Sequence, residues 1–210
     1  MFLAHHINER IENAKPNIVG NKPYYLITKA LRDSFCEKDL KFKFETFEDF
    51  NKDTYNVSGL YDMHNDVRYI CFNFSSLIKT ININNQKWEE FKFQTSQVIQ
   101  HETIHKYQWQ TRDVNFESEK VDFRSLVVEN DEEERSYLSD VDEIDAYAHD
   151  IAMELKHYYP RKNPYVILNK ISKTRKVPSY TYYTKTFKNC EWQKIRKKLI
   201  QKTYKWIKHV

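Results

Sequence analysis

Polar and apolar residues alternate along residues 41–47 (Lys-Phe-Lys-Phe-Glu-Thr-Phe), the period of a strand with one buried face. Residues 54–60 carry a weaker version of the pattern. Residues 67–74 (Val-Arg-Tyr-Ile-Cys-Phe-Asn-Phe) are the strongest strand signal in the chain, dense in β-branched and aromatic side chains. Elsewhere the period is helical. Residues 2–14 and 23–35 read as two helices, split at Lys15-Pro16 and Gly20-Asn21, with Pro23 in the first turn of the second. Residues 82–86 are polar and turn-like. Residues 88–110 hold a long helix with no Gly or Pro. A second strong helix spans 140–159, with Ile144, Ala148, Ile151 and Leu155 as its apolar stripe, acids in its first turn and Pro160 at its end.

Between 111 and 139 no period holds, so a long loop is expected, with one short element at 123–128. Residues 164–173 read as a helix. Residues 178–188, rich in Tyr and Thr, read as a strand or ordered loop. Residues 189–209 form a terminal amphipathic helix, with Trp192, Ile195, Leu199, Thr203 and Trp206 on one side. The order implies an α+β fold. A short antiparallel or mixed sheet packs on the 88–110 helix and on the second strong helix, and the C-terminus is helical and basic. The expected organisation is one domain over 1–160, with its core at 40–157, and a basic aromatic extension over 161–210 packed on it or appended to it.

Composition narrows the chemistry. Two Gly in 210 residues exclude Gly-rich phosphate loops. Cys36, Cys71 and Cys190 are odd in number and far apart, which fits a reduced, intracellular protein without a disulfide framework. No stretch approaches a membrane span, and the apolar run at the N-terminus is short for a signal peptide, so a cytoplasmic location is expected. Abundant Lys, Asn, Ile and Tyr fit an AT-rich coding genome, bacterial or phage. For a phage protein the location becomes the host cytoplasm or the virion. The net charge of +4 hides a dipole. Residues 156–210 hold 16 Lys and Arg against Glu191 alone, and the first 155 residues hold 18 basic and 29 acidic side chains.

The long helix contains His101-Glu102-Thr103-Ile104-His105, the pattern H-E-x-x-H. Two His at i and i+4 share one helix face, so both imidazoles can reach a single Zn2+. Glu102 lies where it can act as general base on a water held by the zinc. Val98, Ile99 and Ile104 beside the motif imply a half-buried helix, on which polar side chains need partners.

A zinc site needs a third protein ligand. Downstream candidates lie in residues 139–150. Glu143-Ile144-Asp145-Ala146 fits E-x-x-A, and here the chain resembles the gluzincin metallopeptidases, in which a second helix supplies a Glu. Over about 67–157 it is similar to zinc-peptidase domains of the ImmA/IrrE type and to small H-E-x-x-H proteins of bacteriophages. The resemblance implies zinc on His101, His105 and Glu143, and peptide-bond hydrolysis of a peptide or protein substrate. It also makes the 67–74 strand a substrate-pairing edge, against its plain reading as a core strand. By helical geometry Glu143, Tyr147, Asp150 and Glu154 share one flank of the second helix, and Asp145 and His149 share the other. Glu143 is the expected ligand, with His149, Asp145 and Asp142 as alternatives. Tyr147 is the expected catalytic companion, with His149, Tyr182 and Tyr183 as further candidates to donate to an oxyanion.

The basic C-terminal region interleaves cations with Tyr180, Tyr182, Tyr183, Phe187, Trp192, Tyr204 and Trp206. That mixture suits an acidic partner or nucleic acid, through phosphate contacts and base stacking. Two rivals to hydrolysis follow. One is a catalytically silent structural or interaction protein, of a virion if phage-encoded, on a zinc-peptidase fold. The other is a nucleic-acid-associated protein led by its basic end.

Overall fold

The computed structural model describes residues 2–48, 51, 54–111, 131–174, 176–187 and 189–210. It is a mixed α and β structure that divides into two units, residues 1–109 and 110–210.

The first unit holds α1 (Phe2–Ile18), β1 (Gly20–Pro23), α2 (Tyr24–Phe35), β2 (Leu40–Phe47), β3 (Asn56–Asp62), β4 (Val67–Ser75), β5 (Thr80–Ile83) and α3 (Asn85–Thr111). Its main sheet has the order β2-β4-β3, with β4 parallel to β2 and antiparallel to β3. The residues expected to form either an edge or a core strand form the core strand. Ile70, Phe72 and Phe74 of β4 are fully buried, and the intervening Tyr69, Cys71 and Asn73 are half-exposed. Both neighbours of β4 are edge strands, so its own backbone is taken on both sides. The buried face meets Ile11, Ile18, Ile27, Leu31 and Phe35 from the first two helices and Trp88, Phe91 and Ile99 from α3. Rings carry much of this core. Tyr24 stacks on Phe74 at 4.1 Å, and Phe91 stacks on both Phe72 and Trp88 at 5.6 Å. Each such burial contributes about 1.5–3 kcal/mol.

Two expectations change here. The first helix does not stop before Pro16 but continues to Ile18. Ile7, Ile11, Ala14 and Ile18 form one buried stripe, and a proline in the last turn removes a single hydrogen bond from a helix already anchored by that stripe. Gly20 then turns the chain with φ +105°, a conformation open to glycine. The polar stretch at 82–86 is not a plain turn. Thr80–Ile83 pairs antiparallel with Gly20–Pro23, and Asn84 accepts from the backbone N–H of Gln86 and Lys87 to start α3.

The second unit is helical throughout its described part: α4 (Asp131–Ser139), α5 (Val141–Tyr158), α6 (Pro164–Asn169), a 3-10 turn (Ile171–Lys173), α7 (Pro178–Thr186) and α8 (Asn189–Trp206). Ile144, Ala148, Ile151 and Leu155 are buried as the stripe predicted, in one cluster with Ile195, Leu199 and Ile207. Asp140 caps α5 by accepting from Asp142 N–H at 2.8 Å.

Two more expectations are corrected. The supposed long loop ends in α4, whose first turn gathers Asp131, Glu132, Glu133 and Glu134 at the positive end of the helix dipole. Only Leu138 of that helix is buried, too little to show as a period. The short element expected at 123–128 lies outside the described residues. The Tyr/Thr-rich stretch is a helix, α7. Tyr180, Tyr183 and Phe187 recur at helical spacing and are buried. Burial of one face outweighs the strand preference of Tyr and Thr. Buried Glu154 accepts from both the N–H and Oγ–H of Ser179 at the start of α7, which satisfies groups a helix N-terminus otherwise leaves open.

Among the described residues no helix is long and apolar enough to cross a membrane.

Candidate metal centre

The H-E-x-x-H motif occupies α3 of the first unit. His101 and Glu102 are buried and His105 is half-buried. The i, i+4 spacing brings the two Nε2 atoms to 3.1 Å, with the rings nearly perpendicular. Two nitrogens each about 2.05 Å from a tetrahedral zinc lie about 3.3 Å apart, so the pair is spaced for one such ion. The same distance suits a hydrogen bond from Nε2–H of one ring to Nε2 of the other, and proton and metal compete for this place.

His105 carries a further mark. Its Nδ1–H donates to Oε1 of Gln108 at 2.9 Å. That bond places the proton on Nδ1 and the lone pair on Nε2, the tautomer that a metal requires. Gln108 sits three residues on, on the same helix face.

Glu102 is accommodated by an absence. Gly59 of β3 lies opposite Ile70 in the sheet register and faces α3. A Cβ at residue 59 would stand 2.4 Å from Oε1 and 2.6 Å from Cγ of Glu102, and 2.7 Å from Cγ1 of Val98. Glycine in a strand interior often marks such a close approach. Here the missing side chain is the slot in which the Glu102 carboxylate rests.

A polar network fixes the end of α3 to the sheet. Buried Arg68 of β4 donates from Nη1 to Thr103 Oγ1 at 2.7 Å, and from Nη2 to Glu37 at 2.8 Å and Asp39 at 2.7 Å. Thr103 passes its own proton to the Ile99 carbonyl at 2.7 Å. Lys106 bridges Asp39 at 2.9 Å and Asp66 at 3.0 Å, and Asp66 also accepts from Tyr61. Burial alone would raise the Asp39 carboxyl, but the bonds from Lys106 and Arg68 outweigh it and hold it below the usual range. Lys106 is raised, because its two carboxylates outweigh the cost of its partial burial. Residues 103 and 106 flank His105 in sequence, so the network holds the stretch of α3 that carries it.

Burial, with the nearby Glu45 charge, pushes the Cys71 thiol up to about 11, so without a metal it remains protonated at neutral pH.

In the second unit the two flanks of α5 have separate uses. Asp145 accepts from Trp206 Nε1 at 3.2 Å and pairs with Lys202 at 3.0 Å. The His149 ring stands edge-on to Trp206 at 5.0 Å. Both alternatives to Glu143 on that flank are therefore held against α8. Asp142 is half-exposed at the start of the helix. On the other flank Glu154 is occupied by Ser179, and Glu143 is buried one turn before Tyr147.

Tyr147 packs against Tyr183 at 5.3 Å and Tyr182 at 6.0 Å. Burial, then the Glu143 charge, holds its hydroxyl well above the usual range, so it stays a neutral donor. The other two tyrosines have committed their protons, Tyr183 to the Leu138 carbonyl at 3.0 Å and Tyr182 to Glu134 at 2.5 Å. Gly59, Gln108 and the Arg68 network were not singled out from the sequence as site residues. Gly59 alone left a legible sign, as one of only two glycines and the one in the middle of a strand rather than at its start.

Neither a protein-family model, nor a curated protein, nor a solved structure matches this chain.

Proposed function

We propose that this protein is a zinc-dependent peptide hydrolase of the gluzincin type, with His101, His105 and Glu143 as the metal ligands and Glu102 as the general base. The observation that carries the reading is the His pair: two Nε2 atoms 3.1 Å apart, with the His105 tautomer set by Gln108. The engagement of Asp145 and His149 by α8 favours Glu143 over its rivals.

Zinc, when bound, supplies Lewis acidity toward water and toward the carbonyl of the scissile bond. The chain supplies the proton traffic and the positioning. A Glu102 oxygen takes a proton from the attacking water and returns it to the leaving amine nitrogen. The Gly59 slot holds that carboxylate beside β3. The Tyr147 hydroxyl donates to the oxygen on which negative charge develops. Among the described strands β3 pairs with β4 alone, so its outer edge can take an extended peptide by backbone hydrogen bonds.

The test is elemental analysis joined to hydrolysis of a mixed peptide library. The native chain should hold about one zinc, and His105→Ala and Glu143→Ala should lose it. Glu102→Gln should keep zinc and lose hydrolysis. A native chain that takes up no zinc, or a zinc-loaded Glu102→Gln protein that still cleaves, refutes the reading.

A further inference from the structure

We propose that the outer face of α8 binds the phosphate backbone of double-stranded nucleic acid, without reading its sequence. The proposal stands on the second unit alone and does not depend on the metal reading.

The helix is divided sharply. Ile195, Leu199 and Thr203 are buried on one side. At about 100° per residue, Lys194, Lys197, Lys198, Gln201 and Lys205 fall within an arc of about 100° centred on the opposite side. All five are exposed. The stripe is about 16 Å long, the length of roughly five base pairs of a duplex. Among the described residues these four lysines form no ion pair, and the cation of α8 that does, Lys202, points to Asp145 from outside the stripe. Lys194 lines a pocket with Glu132 and Glu191, and along the rest of the row like charge on a rigid rod costs self-repulsion that a polyanion relieves.

The rest of the surface selects the class of polyanion. A protein partner would want an apolar centre with few lysines, whereas the apolar side of α8 is already buried in its own unit. For the same reason no apolar face is left to enter a lipid surface. Single-stranded nucleic acid would want aromatic platforms. Trp192 packs on Tyr180 at 5.6 Å and Trp206 on His149 at 5.0 Å; Tyr204 touches Tyr165 at 4.6 Å but is half exposed, and one such ring is short of the succession of platforms on which a single strand stacks. What remains is a line of point charges, which suits phosphates and carries no sequence information.

The experiment is fluorescence anisotropy of the full chain with a labelled DNA duplex of about 20 base pairs, between about 50 and 200 mM NaCl. Four phosphate contacts predict a loss of affinity of about 150-fold across that range. The variant K194Q/K197Q/K198Q/K205Q should lose that binding and its salt dependence, with its circular dichroism unchanged, because Gln and Lys favour helix about equally. K41Q/K43Q, which removes two exposed lysines from the first unit, should bind as the native chain does. The proposal is overturned by no duplex binding at the lowest salt, or by equal binding of the quadruple variant. It is also overturned if K41Q/K43Q costs as much per charge, if a single strand of equal length binds more tightly, or if phosphatidylserine vesicles are bound and the duplex is not.

Discussion

The two units handle charge in opposite ways. In the first, the cations nearest the motif are paired with carboxylates: Arg68 with Glu37 and Asp39, Lys106 with Asp39 and Asp66, and farther along α3 Lys92 with Glu12 and Glu89. Apart from Lys92–Glu89, one turn apart in α3, these pairs join residues distant in sequence, and Arg68 also donates to the Thr103 hydroxyl inside the motif. In the second unit cohesion rests mainly on an apolar cluster between α5 and α8, and most lysines of α8 face outward. Paired charge gives direction, because a hydrogen bond has geometry. Burial of apolar surface gives cohesion without direction. The proposed metal site, which would have to aim two imidazoles, calls for the first kind of construction. The proposed phosphate surface would need only the second, with charge left over.

The sharpest way to break this contrast is Glu102→Gln. If the first unit is built around proton transfer, turnover should fall by about 10²–10⁴-fold with zinc retained, as kcat on any peptide the native chain cleaves. Next, Leu199→Ala should cost about 3 kcal/mol in urea unfolding, because Leu199 is fully buried in the apolar cluster. Its effect on zinc content should be small if the two constructions are independent. Arg68→Met should cost about 2–3 kcal/mol. That is below the figure for a fully buried pair, since the Glu37 and Asp39 side chains it abandons are each 32% exposed. Unlike Leu199→Ala, it should weaken zinc binding, and equal zinc affinity in the two variants would erase the distinction drawn here. Gly59→Ala should cost about 1–3 kcal/mol of overpacking and lower kcat more than it raises KM, since it displaces Glu102, the proposed general base, and leaves the β3 edge in place.

The smallest effect is that of pH. Asp39 and Asp66 are held below the usual carboxylate range: burial raises each, and the bonds from Lys106, with Arg68 on Asp39 and Tyr61 on Asp66, outweigh it. Depressed carboxyls stabilise the fold above their ordinary pKa of about 3.9, and that contribution fades as pH falls through the lower folded values. Lys106 is shifted up, so its share is complete below about 10.4 and is lost only as pH climbs past its folded value. Urea midpoints followed from pH 6 to pH 3 should show the first unit weakening at the acid end. A midpoint flat across that range would show the network to be dispensable.

The sequence made some of this legible and concealed the rest for physical reasons. The His pair, the β4 strand and the stripes of α5 and α8 are local patterns, set by residues two to four positions apart. The network is not local: Arg68 reaches Asp39 and Thr103 across 29 and 35 positions, and Lys106 reaches Asp39 across 67. Nothing in a window of ordinary length reports such contacts. The α7 helix was hidden by composition, because Tyr and Thr suggest strands until Tyr180, Tyr183 and Phe187, three of eight positions, are seen to share one buried face. Gly59 showed in the sequence only as a rare glycine; the room it leaves for Glu102 is a long-range feature that no local pattern reports.

That empty volume has a genetic consequence. Every single-nucleotide missense change in a glycine codon adds at least one carbon, so residue 59 has no conservative neighbour one mutation away. Each such allele pushes on Glu102. The position is therefore a one-way gate: once filled, Glu102 must move or the edge strand must yield. In a lineage that still needs the Glu102 carboxylate, alleles altered at 59 should be purged early. In one that has lost that need, 59 should be among the first positions to drift.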